Sequence, residues 1–596
     1  MPLAVISSPD RATTAAATAI VERAFRHVGF GASLAREDHG TVTVLRFPRE
    51  CQPARQPDIL PDGTLHTFGF WVADVAPDRL FQGLFAGGPA FETAAATLDG
   101  PFFLAAVRDG RAAFATDRMG ACHAFAATIG GAEVVATAAL PLACAANAEL
   151  DPASVREFLA IGTVFGNRTL FRGVRKLEAA TLFRVADGRF ERVGPWWNLS
   201  SILWDRASGG TSDRLADAIV RTMSRIGSLV HEPVLDLTGG FDSRGLLAAA
   251  LAAGLDVKTV TSGDENSRDI VVASHIAAVM GIPHMTAFTA GEGSTYSEKN
   301  LARALRLSDG EIDVFLGAPV AATQSRSALN GTASIQGSCG EFSRGYWWDL
   351  VAGGLHGRGA LDARLVARQR FALDDSADAY LLGLEGSLVD HFAEVVDAAL
   401  TDVRDLPTVS QADAVYVRLR MQHWGGRFLS ATLRQIDSIG PYAFLDPMRE
   451  ALSAPPGVRR GNRMPRHVIG RLNPRLALLP TESGAPACPM TPLTLHRFLP
   501  LLGDYGKRAL GRLGRYLGKA PLPTPVPIPA LRALQRDDVR ERLSIAALSR
   551  LGVIDKGRLG PWLVDALHPE RPKVRILARL LTLQMAHDAA RRMSNG

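Results

Sequence analysis

The segment Leu235–Gly245, with the sequence LDLTGGFDSRG, holds residue types suited to binding a phosphate. An apolar run leads into Thr-Gly-Gly at 238–240, where glycines let a ligand come close to the backbone amides. A helix starting just after the glycines would add N–H groups that have no helical partner and favour anions. The hydroxyls of Thr238 and Ser243 can add two further donors. This pattern predicts a phosphate-binding loop between a strand and a helix.

Asp242 lies two residues after the double glycine. A carboxylate beside bound phosphates would repel them unless a cation lay between, so we predict that Asp242 is a ligand of Mg²⁺. The segment lacks the Gly-Lys-Ser/Thr of the P-loop, so it belongs to another class of phosphate site. The alternative interpretation is that Gly-Gly only forms a turn between strand and helix.

The loop resembles the SGGxDS pyrophosphate-binding loop of ATP pyrophosphatases, which split ATP between the α and β phosphates. Further segments, in order along the chain, resemble the asparagine synthetase family. They are GPFFLAAVRDG followed by DRMGACHAF, then LDPASVREFLAIGTVFGNRTLFRGVRKLEAATLFRV, TSGDENSRDIVVASHIAAVMGIPH and PYAFLDPMREAL. That family joins an N-terminal glutaminase-type domain to a synthetase domain.

The resemblance implies an α/β protein. It implies a glutaminase-like αββα sandwich over residues 1–205 and, over residues 206–596, a parallel-sheet synthetase domain with a helical C-terminal part, like the adenine nucleotide α-hydrolases. ATP and Mg²⁺ are the implied cofactors, with the nucleotide at the carboxyl ends of the strands. The implied catalytic residues are Asp242, Glu341 and Tyr346. The implied nucleotide-binding residues are Leu237, Thr238, Gly239, Gly240, Asp242, Ser243, Ser262 and Gly263.

The implied activity is an AMP-forming amide ligase. A small-molecule or peptide carboxylate would attack the α-phosphate of ATP, and ammonia or an amine would then displace AMP. Positioning and charge stabilisation supply most of the catalysis in such reactions. Because a helix N-terminus contributes only about 0.3–2 kcal/mol towards an anion, Mg²⁺ and basic side chains must stabilise the pyrophosphate.

The N-terminal half departs from the family pattern at its nucleophile. The family's glutaminase uses a cysteine at position 2, whereas this chain has Pro2 and its first cysteine is Cys51. A thiolate paired with its own amine cannot form at Pro2, so we expect no glutamine hydrolysis.

The synthetase half departs from the pattern at two places. In QGSCGEFSRGY, Glu341, Gly345 and Tyr346 match, but Gly340 replaces an aspartate that helps to hold magnesium pyrophosphate. Losing such a group typically lowers the rate by about 10²–10³. The side chains that could compensate are Glu341, Glu311 and Asp313.

The family's late lysine also has no counterpart, because no lysine lies between Lys299 and Lys507. Arg344, Arg471 or Arg475 could hold pyrophosphate instead, since guanidinium binds phosphate well. In the loop itself, Arg244 replaces a second serine.

These departures leave two alternatives to the amide ligase. One is an intramolecular cyclase of lasso-peptide or β-lactam type, in which the amine belongs to the substrate. The other is a non-catalytic ATP-binding or scaffolding protein.

Two aromatic segments could line a substrate pocket: Trp347 with Trp348, for which core packing is the alternative, and RMQHWGGRF at Arg420–Phe428. The basic stretch 506–519 could contact an acidic membrane surface or partner, or form a solvated helix face.

The sequence around the loop predicts a parallel sheet with crossover helices. TSDRLADAIVRTMSRIGSLV is amphipathic, PVLDLT and VKTVTSG are short strands, and GLLAAALAAG and DIVVASHIAAVMG are helices. Such alternation is typical of α/β domains. Before residue 150 the pattern predicts short strands joined by turns, and after about 290 it predicts mostly helices.

Composition agrees with a folded enzyme or binding protein. The chain has 596 residues, 47% hydrophobic and 21% charged, with five scattered cysteines and no CxxC pair. This excludes a disulfide scaffold and makes disorder or a zinc cluster unexpected. The net charge of +6 is dispersed, so nucleic-acid binding is not expected. No secretory signal or membrane span is evident, so a cytoplasmic location is expected, with a homodimer possible.

Overall fold

The computed structural model describes most of the chain. The described residues are 2–51, 55–207, 209–263, 267–288, 295–327, 331–351, 357, 359–371, 381–383, 386–499, 528–568 and 572–591. The basic stretch 506–519 therefore lies outside the described residues.

The strands fall into an N-terminal group, β1–β12, and a later group, β13–β17. They are β1 (Leu3–Ser7), β2 (Ala35–His39), β3 (Val42–Arg46), β4 (Asp58–Leu60), β5 (Gly63–Gly69), β6 (Phe102–Arg108), β7 (Arg111–Thr116), β8 (Phe125–Ile129), β9 (Ala132–Ala136), β10 (Arg175–Lys176), β11 (Thr181–Ala186), β12 (Arg189–Pro195), β13 (Pro233–Asp236), β14 (Lys258–Gly263), β15 (His284–Phe288), β16 (Ala333–Ile335) and β17 (Asp437–Ile439).

Helices accompany both groups and dominate the C-terminal part. They are α1 (Arg11–Val28), α2 (Pro77–Ala86), α3 (Gly88–Ala94), α4 (Ala139–Ala145), α5 (Pro152–Ile161), α6 (Ser212–Gly227), α7 (Phe241–Ala252), α8 (Arg268–Met280), α9 (Glu298–Ser308), α10 (Val314–Ser327), α11 (Ala363–Val366), α12 (Leu388–Ala399), α13 (Thr408–Val415), α14 (Gly426–Leu433), α15 (Leu445–Leu452), α16 (Pro456–Arg459), α17 (Arg463–Leu472), α18 (Pro474–Leu478), α19 (Ile528–Leu534), α20 (Asp537–Arg542), α21 (Ile545–Ser549), α22 (Lys556–Ala566) and α23 (Val574–Arg591). A π-helix, Tyr416–Gly425, connects α13 to α14.

The first twelve strands form two antiparallel sheets, ordered β10-β8-β9-β1-β3-β2 and β12-β11-β7-β6-β5-β4. Side chains alternate between the faces of a strand, so Leu3 and Val5 of β1 pack between the sheets. Ala4 and Ile6 of the same strand face the helical layer that contains α1 and α4. Helices α2 and α3 cover the outer face of the other sheet. The result is the predicted αββα sandwich.

Strands β13–β17 form a parallel five-stranded sheet in the order β15-β14-β13-β16-β17. The amphipathic segment predicted before it is α6, whose Thr211 cap accepts a hydrogen bond from the Arg214 N–H. Apolar residues of β13, α6, α7 and α17 share one core, including Leu235, Leu246 and Ile219. The predicted α/β layout with a helical C-terminal part is therefore confirmed.

The C-terminal helices pack against the outer face of the N-terminal sandwich. Leu577 and Leu581 of α23 share one buried cluster with Ile6 and Phe25. The boundary predicted between residues 205 and 206 thus separates segments that share a core. It stays a prediction about domain organisation. No helix in the described parts of the chain combines the length and apolar character needed to cross a membrane.

Candidate functional site

The Thr-Gly-Gly loop lies where the parallel sheet reverses its strand order. From β13 the chain adds β14 and β15 on one side, and β16 and β17 on the other. The crevice outside the carboxyl ends of strands at such a switch point is the usual ligand position in open parallel sheets. The loop after β13 and the loop after β16 meet there, because a Cβ on Gly337 would lie 2.9 Å from the Ser243 nitrogen.

Thr238 and Ser243 hold the loop together from its two ends. The Thr238 N–H donates to the Ser243 Oγ at 3.0 Å, and the two hydroxyl oxygens lie 2.9 Å apart. The Gly240 N–H in turn approaches the Thr238 Oγ1 at 3.3 Å. Both predicted hydroxyls are at the site, and both are engaged within the loop.

The N–H and the carbonyl of Gly239 are both hydrogen-bonded to residues far away in the sequence. Its N–H donates to the Asp269 Oδ1 at 2.9 Å, and its carbonyl accepts the Glu482 N–H at 3.2 Å. The amide predicted to face a phosphate therefore faces a carboxylate here. The remaining donors are the first-turn N–H groups of α7, a helix that begins at Phe241 with no side-chain cap.

Asp242 is paired with a guanidinium on the loop after β16. Its Oδ2 accepts a hydrogen bond from the Arg344 Nη2, and its backbone carbonyl accepts the Tyr442 hydroxyl at 3.2 Å. Burial raises the pKa of Asp242 to about 7; Arg344 opposes this shift and Glu341 adds to it. Arg344 is thus the arginine, of the three predicted, that the structure brings to the loop.

Gly340 packs directly against Asp242. A Cβ at position 340 would lie 2.4 Å from the Asp242 Cγ, so an aspartate would not fit there without rearrangement. Glu341 follows, and its buried Oε2 has no hydrogen-bond partner in the part of the chain that the structure describes. Among the described residues no group of three potential metal-ligating side chains occurs. Glu341 lies close enough to Asp242 to raise its pKa, so these two carboxylates could share a cation with a phosphate.

The other predicted compensating side chains are committed elsewhere. Glu311 is bonded to Lys176 at 2.6 Å and to His123 at 3.0 Å, within a buried cluster. Asp313 caps the start of α10, where its Oδ1 accepts the Leu316 N–H at 2.9 Å. These contacts are with residues outside the loop, so they do not support the prediction that either carboxylate compensates for Gly340.

Arg471 and Arg475 also lie outside the loop's contacts. Arg471 binds Asp217 on α6 at 2.7 Å and the Asp213 carbonyl at 2.6 Å. Arg475 is exposed near the start of α18. The prediction that either could replace the missing lysine is not supported by these contacts.

The last three predicted residues take different places. Ser262 and Gly263 end β14, the neighbour of β13, so they lie at the predicted edge of the sheet.

Tyr346 is 55% exposed, and its ring lies 5.2 Å from that of Tyr416. Tyr346 lines a cavity of about 680 Å³ beside the site, with Trp347 and Arg420. Trp348 instead packs in the core, where its indole N–H donates to Asp413 at 3.1 Å.

Arg244, which the sequence marked only as a departure, braces the loop. Its guanidinium is fully buried and donates to the carbonyls of Leu479 at 2.7 Å and Pro480 at 2.8 Å. This fixes the segment whose Glu482 N–H bonds to Gly239. Sequence reasoning missed Asp269, Glu482 and Tyr442 as site residues. Asp269 did carry a signal, as the aspartate four residues before Ala273 in the family-like segment.

On the sandwich side, Cys122 does not replace the nucleophile that Pro2 lacks. The thiol is 1% exposed, and its Sγ lies 3.6 Å from the Phe68 carbonyl oxygen. Burial raises its pKa well above 9, so the thiolate is not formed at neutral pH.

No protein-family model matches the chain, and no curated protein sequence matches it. A solved structure described as glutamine phosphoribosylpyrophosphate (PRPP) amidotransferase from B. subtilis, complexed with ADP and GMP, is similar at 12% identity with a TM-score of 0.22. That match covers 48% of this chain and 65%, just under two thirds, of the other. A second structure, described as the allosteric regulatory enzyme of purine biosynthesis, has 11% identity and a TM-score of 0.22 over 48% of this chain and 80% of that one. Similarities of this size leave the family of the chain open.

Proposed function

We propose that the chain is an ATP-dependent, AMP-forming amide ligase resembling asparagine synthetase. The observation that carries the proposal is the loop Leu237–Ser243 at the switch point of the parallel sheet, with Asp242, Glu341 and Arg344 converging on it. A phosphate chain would accept hydrogen bonds from the first turn of α7 and from Arg344.

The charge around the loop supports a requirement for Mg²⁺. Asp242, Glu341 and Asp269 surround it, whereas Arg344 is the guanidinium bonded to Asp242. A nucleotide alone would be repelled by these carboxylates. The buried Oε2 of Glu341, which bonds to none of the described residues, fits a hard cation, which takes one or two carboxylates plus phosphate oxygens. Mg²⁺ bound there would neutralise negative charge on the leaving pyrophosphate.

The proposed reaction has two steps. A carboxylate oxygen of the substrate bonds to the α-phosphorus, and the bond from that phosphorus to the bridging oxygen breaks to release pyrophosphate. An amine nitrogen then attacks the acyl carbon, which releases AMP and a proton. The chain's part is to hold the phosphates in line and to stabilise their charge. Because Cys122 is buried as a thiol, the amine in this proposal comes from solution or from the substrate.

An ATP–pyrophosphate exchange assay over a panel of carboxylic acids tests the proposal. Asp242→Asn should lower the exchange rate by at least about 10², because it removes the carboxyl group that pairs with Arg344 and could bind Mg²⁺, without changing the shape of the side chain. Asp256→Asn is the matched control, since Asp256 is exposed before β14, at the opposite edge of the sheet. Equal exchange in the two variants, or ATP binding with no exchange for any acid, would refute the ligase and favour a non-catalytic nucleotide-binding protein.

A further inference from the structure

A cavity of about 450 Å³ lies between the sandwich and the nucleotide side of the parallel sheet. Sandwich residues from Gly100–Pro101 and the turn Asp117–Ala121 form one wall. The π-helix Tyr416–Gly425 and α14 form another, and the loop after β16 contributes Glu341. The cavity thus shares Glu341 with the loop at which ATP is proposed to bind.

The turn that forms the sandwich wall is fixed by Asp117. Its carboxylate accepts the N–H groups of Met119 at 3.0 Å, Ala121 at 3.1 Å and Cys122 at 2.8 Å. Arg118, in the same turn, donates to Asp99 and to the Ala95 carbonyl. These hydrogen bonds hold the turn in place, and Arg118 is already paired with Asp99.

Arg420 is the second cationic side chain, beside Arg118, among the described residues that line the cavity. Its guanidinium stacks on Trp424, 3.2 Å from the ring centroid. It makes no hydrogen bond or ion pair with any residue that the structure describes. A stacked guanidinium is pre-organised for a carboxylate, which it can bind through two parallel hydrogen bonds.

The rest of the cavity is mainly apolar. Its apolar lining includes Pro101, Met119, Leu316, Met421, Phe428 and Leu429. A volume of 450 Å³ equals that of about 15 liquid waters and lies in the range of sites for drug-sized ligands. Ammonia or a second charged group would gain little from such walls, because burying an unpaired charge is unfavourable.

We propose that this cavity binds the acid substrate of the ligase, and that this substrate is a carboxylic acid with a bulky apolar body. Arg420 binds the carboxylate, and the apolar walls contact the body. This inference rests on the proposed function and adds the substrate class to it. The acid lies between Glu341 at the nucleotide side and Phe428 and Leu429 on α14.

Calorimetric titration of the ATP-free protein with hexanoate, octanoate, decanoate and aspartate tests the substrate class. Affinity should rise about fourfold per methylene until the cavity is filled, and aspartate should bind much more weakly. An affinity that does not depend on chain length, or aspartate binding as tightly as decanoate, would overturn the assignment.

Two variants locate the binding. Leu316 lines the cavity and is 42% exposed, so Leu316→Trp should weaken decanoate at least tenfold without disturbing the core. Leu493→Trp, at an 87% exposed position outside the lining, is the matched control. Arg420→Gln should weaken decanoate but not decanol, and retained decanol binding also reports an intact fold. Equal decanoate affinity in Leu316→Trp and the control would contradict the assignment.

Pyrophosphate exchange separates this inference from the ligase proposal. Exchange supported by aspartate but by no apolar acid refutes the substrate class and leaves the ligase standing. Chain-length-dependent binding without exchange for any acid refutes the ligase and supports the cavity as a site for apolar acids.

Discussion

Gly340 has no Cβ, and this allows the Asp242 carboxyl to lie directly against it beside the loop. The Asp242 side chain occupies the space where a larger residue at 340 would project. Glu341, one residue later, has a buried oxygen that finds no hydrogen-bond partner among the described residues. Glu341 already matches the pattern of the resembling family, so the carboxylate that position 340 lacks is not replaced from the next position; Asp242 fills its space instead.

Substituting Gly340 tests this packing. Gly340→Ala should destabilise the fold by about 1–3 kcal/mol, because the new Cβ overlaps the Asp242 carboxyl. It should also lower pyrophosphate exchange by displacing Asp242. Urea unfolding and the exchange assay measure the two effects. Gly457→Ala, where a Cβ meets nothing within 4 Å, should change neither; similar results for both variants would contradict the packing argument.

The residues of the loop were predictable individually, whereas their partners were not. Gly-Gly between an apolar run and a helix indicates a phosphate loop through local chemistry alone. The bond from Gly239 to Asp269 spans 30 residues and depends on how β13 and α8 pack. Nothing in the local sequence specifies such a pairing.

At the level of elements, a late segment braces the loop through Arg244. Two charge-assisted hydrogen bonds tie the start of α7 to the carbonyls of Leu479 and Pro480. The following residues return a backbone hydrogen bond from Glu482 to Gly239. The loop thus depends on a segment that is not its neighbour in the sheet.

Arg244→Met should lower the free energy of unfolding by about 1–3 kcal/mol, because it removes the donors that bond to the partly buried carbonyls of Leu479 and Pro480. Amide hydrogen exchange in residues 479–485 should become faster in this variant. Arg475→Met, at an exposed position nearby, should change stability by less than about 0.5 kcal/mol. Unaltered hydrogen exchange in the Arg244 variant would show that the brace is unimportant.

The long periodic elements were predictable and the short ones were not. Helices α6, α7 and α8 occupy the segments that their apolar spacing indicates. Strand β17 has three residues, Asp437–Ile439, and exists because β16 lies beside it. The 450 Å³ cavity draws its walls from distant segments, so no local pattern announces it.

At the scale of the whole molecule, a buried charge cluster joins the sandwich to the later part of the chain. Lys176 and His123 on the sandwich side bind Glu311, which follows α9. Burial alone would raise the pKa of Glu311, but Lys176 and His123 outweigh it and hold the pKa well below its ordinary value of 4.5. The ionised form is the one that the fold stabilises.

The lowered pKa of Glu311 determines in which direction the stability of the fold changes with pH. Ionised Glu311 stabilises the fold above about pH 4.5, and that contribution is lost as the pH falls towards the folded-state pKa. Glu311→Gln should cost about 3–5 kcal/mol at pH 7, because Lys176 is left buried without its partner. The deficit should shrink on acidification, as measured by urea unfolding at several pH values. Exposed Glu394→Gln should show no such trend; a deficit independent of pH would contradict the assignment.

The brace around Arg244 has a consequence for synthesis on the ribosome. Leu479, its acceptor, lies 235 residues further along the chain. At about 5–20 residues per second, roughly 10–50 s pass between translation of the loop and translation of its support. During that interval a nascent chain carries the loop without its partner carbonyls. Messenger variants that slow elongation between these two points should therefore expose the emerging polypeptide to chaperones and proteases for longer.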